Sequence, residues 1–89
     1  MADIFNQLNK EELEAVLKFK NISKGDLLQT VFENVRQPDR EDGSGMYIYV
    51  FDISDNAKIR MGSRDGNTVE YIGLVVGKEI YPLNPLTKQ

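Results

Sequence analysis

The chain has 89 residues, a formal net charge of −3, 40% hydrophobic residues and neither histidine nor cysteine. That length supports one small core, and the two missing residue types exclude a Ser-His-Asp or Cys-His nucleophile, a cysteine zinc site and disulfides. A negative chain is a poor match for a nucleic-acid polymer, whose phosphates call for positive surface, and no apolar run approaches the roughly 20 residues of a membrane span.

The first residues, MADIFNQLNKEELE, carry neither a basic n-region nor a long apolar h-region, so a cytoplasmic protein is expected. Asn9 followed by Glu12 has capping-box spacing, and Leu8 with Leu13 has the spacing of a hydrophobic staple. Leu13, Val16 and Leu17 then form an apolar stripe at i, i+3, i+4, with Phe19 off it. A helix is predicted over about 10–20. The same grammar recurs at Ser23 and Asp26, with Ile22 and Leu27 at staple spacing. Leu27, Leu28, Val31, Phe32 and Val35 recur helically, which predicts a second helix over about 24–36.

QPDREDGSG, residues 37–45, is polar, acidic and Gly-rich after a proline, and a mobile linker is expected. As a calcium loop it fails: from Asp39, Gly43 falls where an oxygen ligand is needed and the closing glutamate is missing. The composition then shifts to Tyr, Ile, Val and Phe, and strands follow.

Three connections divide residues 46–83 into four strands of an antiparallel meander, about 46–53, 57–63, 67–76 and 79–83. A Ser54-Asp55-Asn56 loop sets Phe51 opposite Ile59, Tyr49 opposite Met61 and Asp52 opposite Lys58, with Asn56 in the left-handed position. An Arg64-Asp65-Gly66 loop sets Met61 opposite Val69, Arg60 opposite Glu70 and Ile59 opposite Tyr71, with Gly66 at positive φ. Gly77-Lys78 fits a type II′ turn with Val75 opposite Ile80 and Leu74 opposite Tyr81.

These registers divide the residues between two faces. Tyr47, Tyr49, Phe51, Ile53, Ala57, Ile59, Met61, Val69, Tyr71, Val75 and Ile80 form a core face for the helices to cover. The second face carries Ile48, Val50, Ile72, Leu74, Val76, Tyr81 and Leu83, crossed by Asp52, Lys58, Arg60 and Glu70. An apolar face of that extent meets something: the tail at 84–89 folded back, a second copy in a homodimer, or a different protein or small ligand. Ile48, Val50, Arg60, Ile72, Leu74, Val76 and Tyr81 are therefore the candidate interface residues, with Arg60 and Tyr81 as anchors because their types are enriched in hot spots.

The glycines, hydroxyls and arginines of IRMGSRDGNTVEYI, residues 59–72, are also the materials of a phosphate cradle. Such cradles precede a helix, whereas this stretch precedes a strand and reads as a hairpin tip. Lys58, Arg60 and Arg64 remain a small basic cluster able to hold one anionic ligand. Among the sheet aromatics, Tyr49 and Phe51 alternate onto the predicted core face and the chain is acidic, so they read as core residues and not as a nucleic-acid platform. The helix carboxylates Glu11, Glu12, Glu14, Asp26 and Glu33 read as solvated faces.

GMYIYV followed by IRMGSRDGNTVEYI resembles, over about a third of the chain, the small phage-encoded proteins that sequester cyclic-nucleotide immune signals. Those chains likewise pair a strand with a Met-containing strand, a DG turn and a return strand ending in an aromatic; the tryptophans typical of them are absent here. The resemblance implies a ligand-binding homo-oligomer without catalysis. The residues themselves lead to an α+β fold, two N-terminal helices on a four-stranded antiparallel meander in one domain spanning 1–89. The expected function is non-enzymatic engagement of a partner protein, which it inhibits or modulates; sequestration of a small anionic ligand is the alternative. No cofactor, metal, membrane or catalytic residue is expected.

Overall fold

The computed structural model describes residues 7–43 and 45–83. The fold is α+β, with two helices N-terminal to an antiparallel sheet: α1 (Lys10–Leu17), α2 (Leu28–Asn34), β1 (Arg40–Glu41), β2 (Tyr47–Asp52), β3 (Ala57–Ser63), β4 (Tyr71–Val76) and β5 (Glu79–Pro82). The strands lie in sequence order, β1-β2-β3-β4-β5.

Helix α1 starts as its sequence dictates. The Asn9 side chain accepts from the Glu12 N–H and the Glu12 carboxylate accepts from the Asn9 N–H, each at 2.8 Å. It stops at Leu17, three residues short of the predicted end, and the chain turns through residues 18–21. That turn delivers Phe19 to the core despite its position off the helical stripe: it is 1% exposed, with its ring 4.9 Å from Phe51 edge-on.

Helix α2 starts later than predicted. Ser23 and Asp26 close a turn, with the Asp26 carboxylate accepting from the Ser23 N–H at 2.8 Å. No helix grows from it, because Gly25 takes φ +95° and the backbone is committed elsewhere. Gly25 N–H donates to Val69 O, Val69 N–H to Asp26 O and Leu28 N–H to Asn67 O. This short bridge between Leu27 and Thr68 outcompetes the first helical turn, and it leaves Leu27 half exposed where a staple contact was expected.

The expected mobile linker is instead tied to the sheet around β1. Arg40 pairs with Val50 and Glu41 with Tyr49. Asp39 accepts from Arg36 and from the Asp52 N–H, each at 2.7 Å, and Arg40 meets the Asp52 carboxylate at 2.8 Å.

The β2–β3 register agrees with the sequence: Phe51 opposes Ile59, Tyr49 opposes Met61 and Asp52 opposes Lys58. Its loop differs in detail. No described non-glycine residue has positive φ, so Asn56 is not left-handed. The Ser54 hydroxyl shapes the turn instead, accepting from the Asn56 and Ala57 N–H groups at 3.2 Å. The β4–β5 turn also agrees, with Gly77 at φ +61°, Val75 opposite Ile80 and Leu74 opposite Tyr81.

The β3–β4 register does not. Ile59 opposes Leu74, Met61 opposes Ile72 and Arg60 opposes Gly73, a shift of three residues from the expected ladder. Residues 64–70 form a long loop organised by Asp65, whose carboxylate accepts from the Asn67 N–H at 2.8 Å and the Thr68 N–H at 2.9 Å. Ser63, fully buried, accepts from the Gly66 N–H at 2.9 Å. Gly66 does take positive φ, +72°. An odd shift turns a strand over, so β4 presents the opposite side chains to the helices.

The core therefore holds Phe51, Ala57, Ile59, Met61, Ile72, Leu74 and Val76 from the sheet. Against them pack Val16, Phe19, Ile22, Leu28 and Val31, with Leu13, Phe32 and Val35 at the margin. Val69 joins this core from the loop, 1% exposed.

Candidate functional site

The face of the sheet away from the helices can be described row by row from the ladders. One row runs Arg40, Val50, Arg60, Gly73, Pro82 across all five strands. A second runs Ile48, Gly62, Tyr71, and a third Asp52, Lys58, Val75, Ile80. Ile48, Tyr71 and Val75 are half-buried and Ile80 is 57% exposed. Arg60 stands at the centre.

Of the predicted interface residues, Ile48, Val50 and Arg60 lie on this face. Ile72, Leu74 and Val76 do not: the register shift buries them in the helix-side core at 2%, 1% and 7% exposure. Tyr81 opposes Leu74 and so belongs to the helix side at the sheet edge; Leu83 packs against the helix-side core as well. The Tyr81 hydroxyl donates to the Glu79 carboxylate, which holds the phenol above its ordinary pKa. Tyr71, Val75 and Ile80 take the vacated places on the second face. The predicted fold-back of residues 84–89 over this face lies outside the described residues.

The predicted cross-strand charges are also rearranged. Glu70 meets Lys24 at 3.4 Å and Arg64 at 3.6 Å, not Arg60. Asp52 faces Lys58 in register but makes its ion pair with Arg40. Among the described residues, neither Arg60 nor Lys58 has an ion-pair partner.

Lys58 and Arg64 border separate grooves, and Arg60 lines neither of the two. Lys58 borders an open groove with Arg40, Asp52, Ile53, Ser54 and Asp55. Arg64, its side chain 76% exposed, borders another with Glu41, Met46 and Tyr47.

Val50 explains part of the electrostatics. It is 6% exposed yet lies outside the helix-side core. In register it has Arg40 on one side and Arg60 on the other, and the long stems of such residues cover apolar surface while their heads stay in water. The two glycines nearest Arg60 serve their neighbours. A Cβ at Gly62 would fall 2.1 Å from the Tyr71 ring, and one at Gly73 would fall 3.3 Å from Ile80 Cγ2. Both bulky side chains thus lean over glycine backbone, which keeps this face low and continuous.

Two other polar groups are ordered by local chemistry. Glu12 is held below the usual carboxylate range by the Ser54 hydroxyl, which donates to it at 2.5 Å, and by the Asn9 N–H. Asp65 is lowered to about 2, first by the Thr68 N–H, then by the Asn67 N–H. Glu12 thereby joins the start of α1 to the β2–β3 loop, while exposed Asp65 closes its own loop. Among the described residues no three acidic side chains gather closely enough to hold a metal ion, and no helix is long and apolar enough to cross a membrane.

The sequence signal for the true face was the pair of strand glycines. Gly62 opposite Tyr71 and Gly73 opposite Arg60 give each large residue a partner without a side chain, a pairing available only with the longer loop. No protein-family model, curated protein or solved structure compared with the chain matches it.

Proposed function

We propose that the chain is a small cytoplasmic binding module, without catalysis, that engages a partner protein through the sheet face opposite its helices and inhibits or modulates it by that contact. One observation carries the reading: Ile48, Tyr71, Val75 and Ile80 surround Arg60, which has no ion-pair partner among the described residues. A merely solvated face would be mainly polar. Tyrosine and arginine together on an apolar patch are what interface hot spots are made of.

Affinity capture from an extract of the producing cells tests it, comparing immobilised wild type with Ile80→Asp. Ile80 is exposed, so the variant keeps the fold. The expected result is a protein retained by wild type and lost by the variant. Equal retention, or none, would contradict the reading.

A second reading draws on Lys58 and Arg60, which lie on one face of β3 and have no ion-pair partner among the described residues: sequestration of a small anionic ligand, as in the phage proteins that the hairpins resemble. A cyclic dinucleotide should then raise the unfolding temperature of the wild type and not of Arg60→Ala. Lys58 and Arg64 line different grooves, which makes this the weaker of the two.

A further inference from the structure

We infer that the protein surface docking on this face presents a carboxylate set among apolar side chains, with Arg60 as its anchor; the inference rests on the partner-binding reading above. The chain as a whole carries a net −3, and α1 alone carries Glu11, Glu12 and Glu14. The second face has the opposite sign. Its ladder rows hold Arg40, Lys58 and Arg60 against Asp52, and counting Asp42, whose N–H extends the β1–β2 pairing to Ile48, three cations face two carboxylates. Asp52 is already engaged by Arg40 at 2.8 Å.

Arg60 decides the partner's chemistry. It occupies the central strand, with Val50 and Gly73 on either side and Tyr71 and Val75 diagonal to it. A wholly apolar partner would cover a guanidinium and leave its donors unpaired, which costs more than the added contacts return. A carboxylate meets the same fork with two parallel hydrogen bonds.

A second copy is a poorer occupant. A two-fold axis through the middle of the face sets Arg60 against Arg60, while Asp42 and Asp52 lie toward the β1–β2 side. A nucleic-acid strand is poorer still, since a chain of net −3 repels a polyanion at long range.

Panning a random displayed-peptide library against the immobilised full chain provides the probe. The selected peptides are then synthesised and their affinities measured for wild type, Arg60→Met and Ile80→Asp. The expected peptides carry Asp or Glu flanked by apolar residues. Arg60→Met should weaken them about tenfold or more, as should replacing the acid by its amide. Neutral or basic peptides indifferent to Arg60→Met would overturn the inference. If these still lose affinity to Ile80→Asp, the face reading survives and only its acidic partner falls; if they ignore both substitutions, both fall. Selection of no peptide also overturns the inference. So does a wild-type dimer by light scattering that Ile80→Asp converts to monomer, because the occupant is then a second copy.

Discussion

The Tyr71 ring lies over Gly62 across the β3–β4 ladder, so close that a Cβ at residue 62 would stand 2.1 Å from ring atom Cε2. A strand glycine normally weakens a sheet, and here a neighbour's ring fills the space it leaves. Gly62→Ala must displace that ring. A loss of about 1–3 kcal/mol is expected in urea unfolding. An unchanged midpoint would mean that the ring does not depend on the glycine.

The start of α1 rests on a reciprocal pair of bonds between Asn9 and Glu12. Asn9→Ala is expected to cost about 1 kcal/mol of stability, read by chemical denaturation. The Ser54 hydroxyl reaches the same glutamate from the β2–β3 loop. Ser54→Ala should therefore raise the Glu12 pKa toward its ordinary value in an NMR titration. No movement would mean that loop and helix are not joined there.

The Asp65 loop gives a pH dependence of definite sign. Its carboxyl titrates at about 2 in the folded protein against 3.8 for the free side chain, chiefly through the Thr68 and Asn67 N–H groups. A depressed folded-state pKa stabilises the fold above the free value, and the contribution fades as pH falls from about 4 toward 2. The Thr68 amide resonance should follow the Asp65 titration through that window. Asp65→Asn should flatten this part of the stability profile. A Thr68 amide that titrates with a midpoint near 4 would contradict the loop geometry.

Much of this fold was legible in local sequence grammar. Asn9 with Glu12 marks a helix start, and the β2–β3 and β4–β5 registers follow from loop length and turn residues. The failures share one physical origin. The Asp65 and Ser63 side chains satisfy the backbone of their own loop, and the bridge between Leu27 and Thr68 holds that loop against the chain entering α2. A contact between residues so far apart in sequence has no local signature. It cost α2 its predicted first turn and lengthened the β3–β4 connection. Because the resulting shift is odd, it exchanged Ile72, Leu74 and Val76 for Tyr71, Val75 and Ile80 on the second face. Ile48, Val50 and Arg60 were placed correctly because β2 and β3 are paired independently of that loop.

Everything proposed for the second face depends on β4 turning Val75 outward and Leu74 inward. The most direct test is thermal unfolding of Leu74→Asp beside Val75→Asp. An uncompensated charge in the core should cost more than about 4 kcal/mol, so Leu74→Asp should lose its cooperative transition. Val75→Asp should keep one, within about 1 kcal/mol of wild type, because an aspartate there sits at the partly exposed sheet surface near Lys58. The reverse pattern, Leu74→Asp folded and Val75→Asp unfolded, would contradict the register and with it the binding surface built on it.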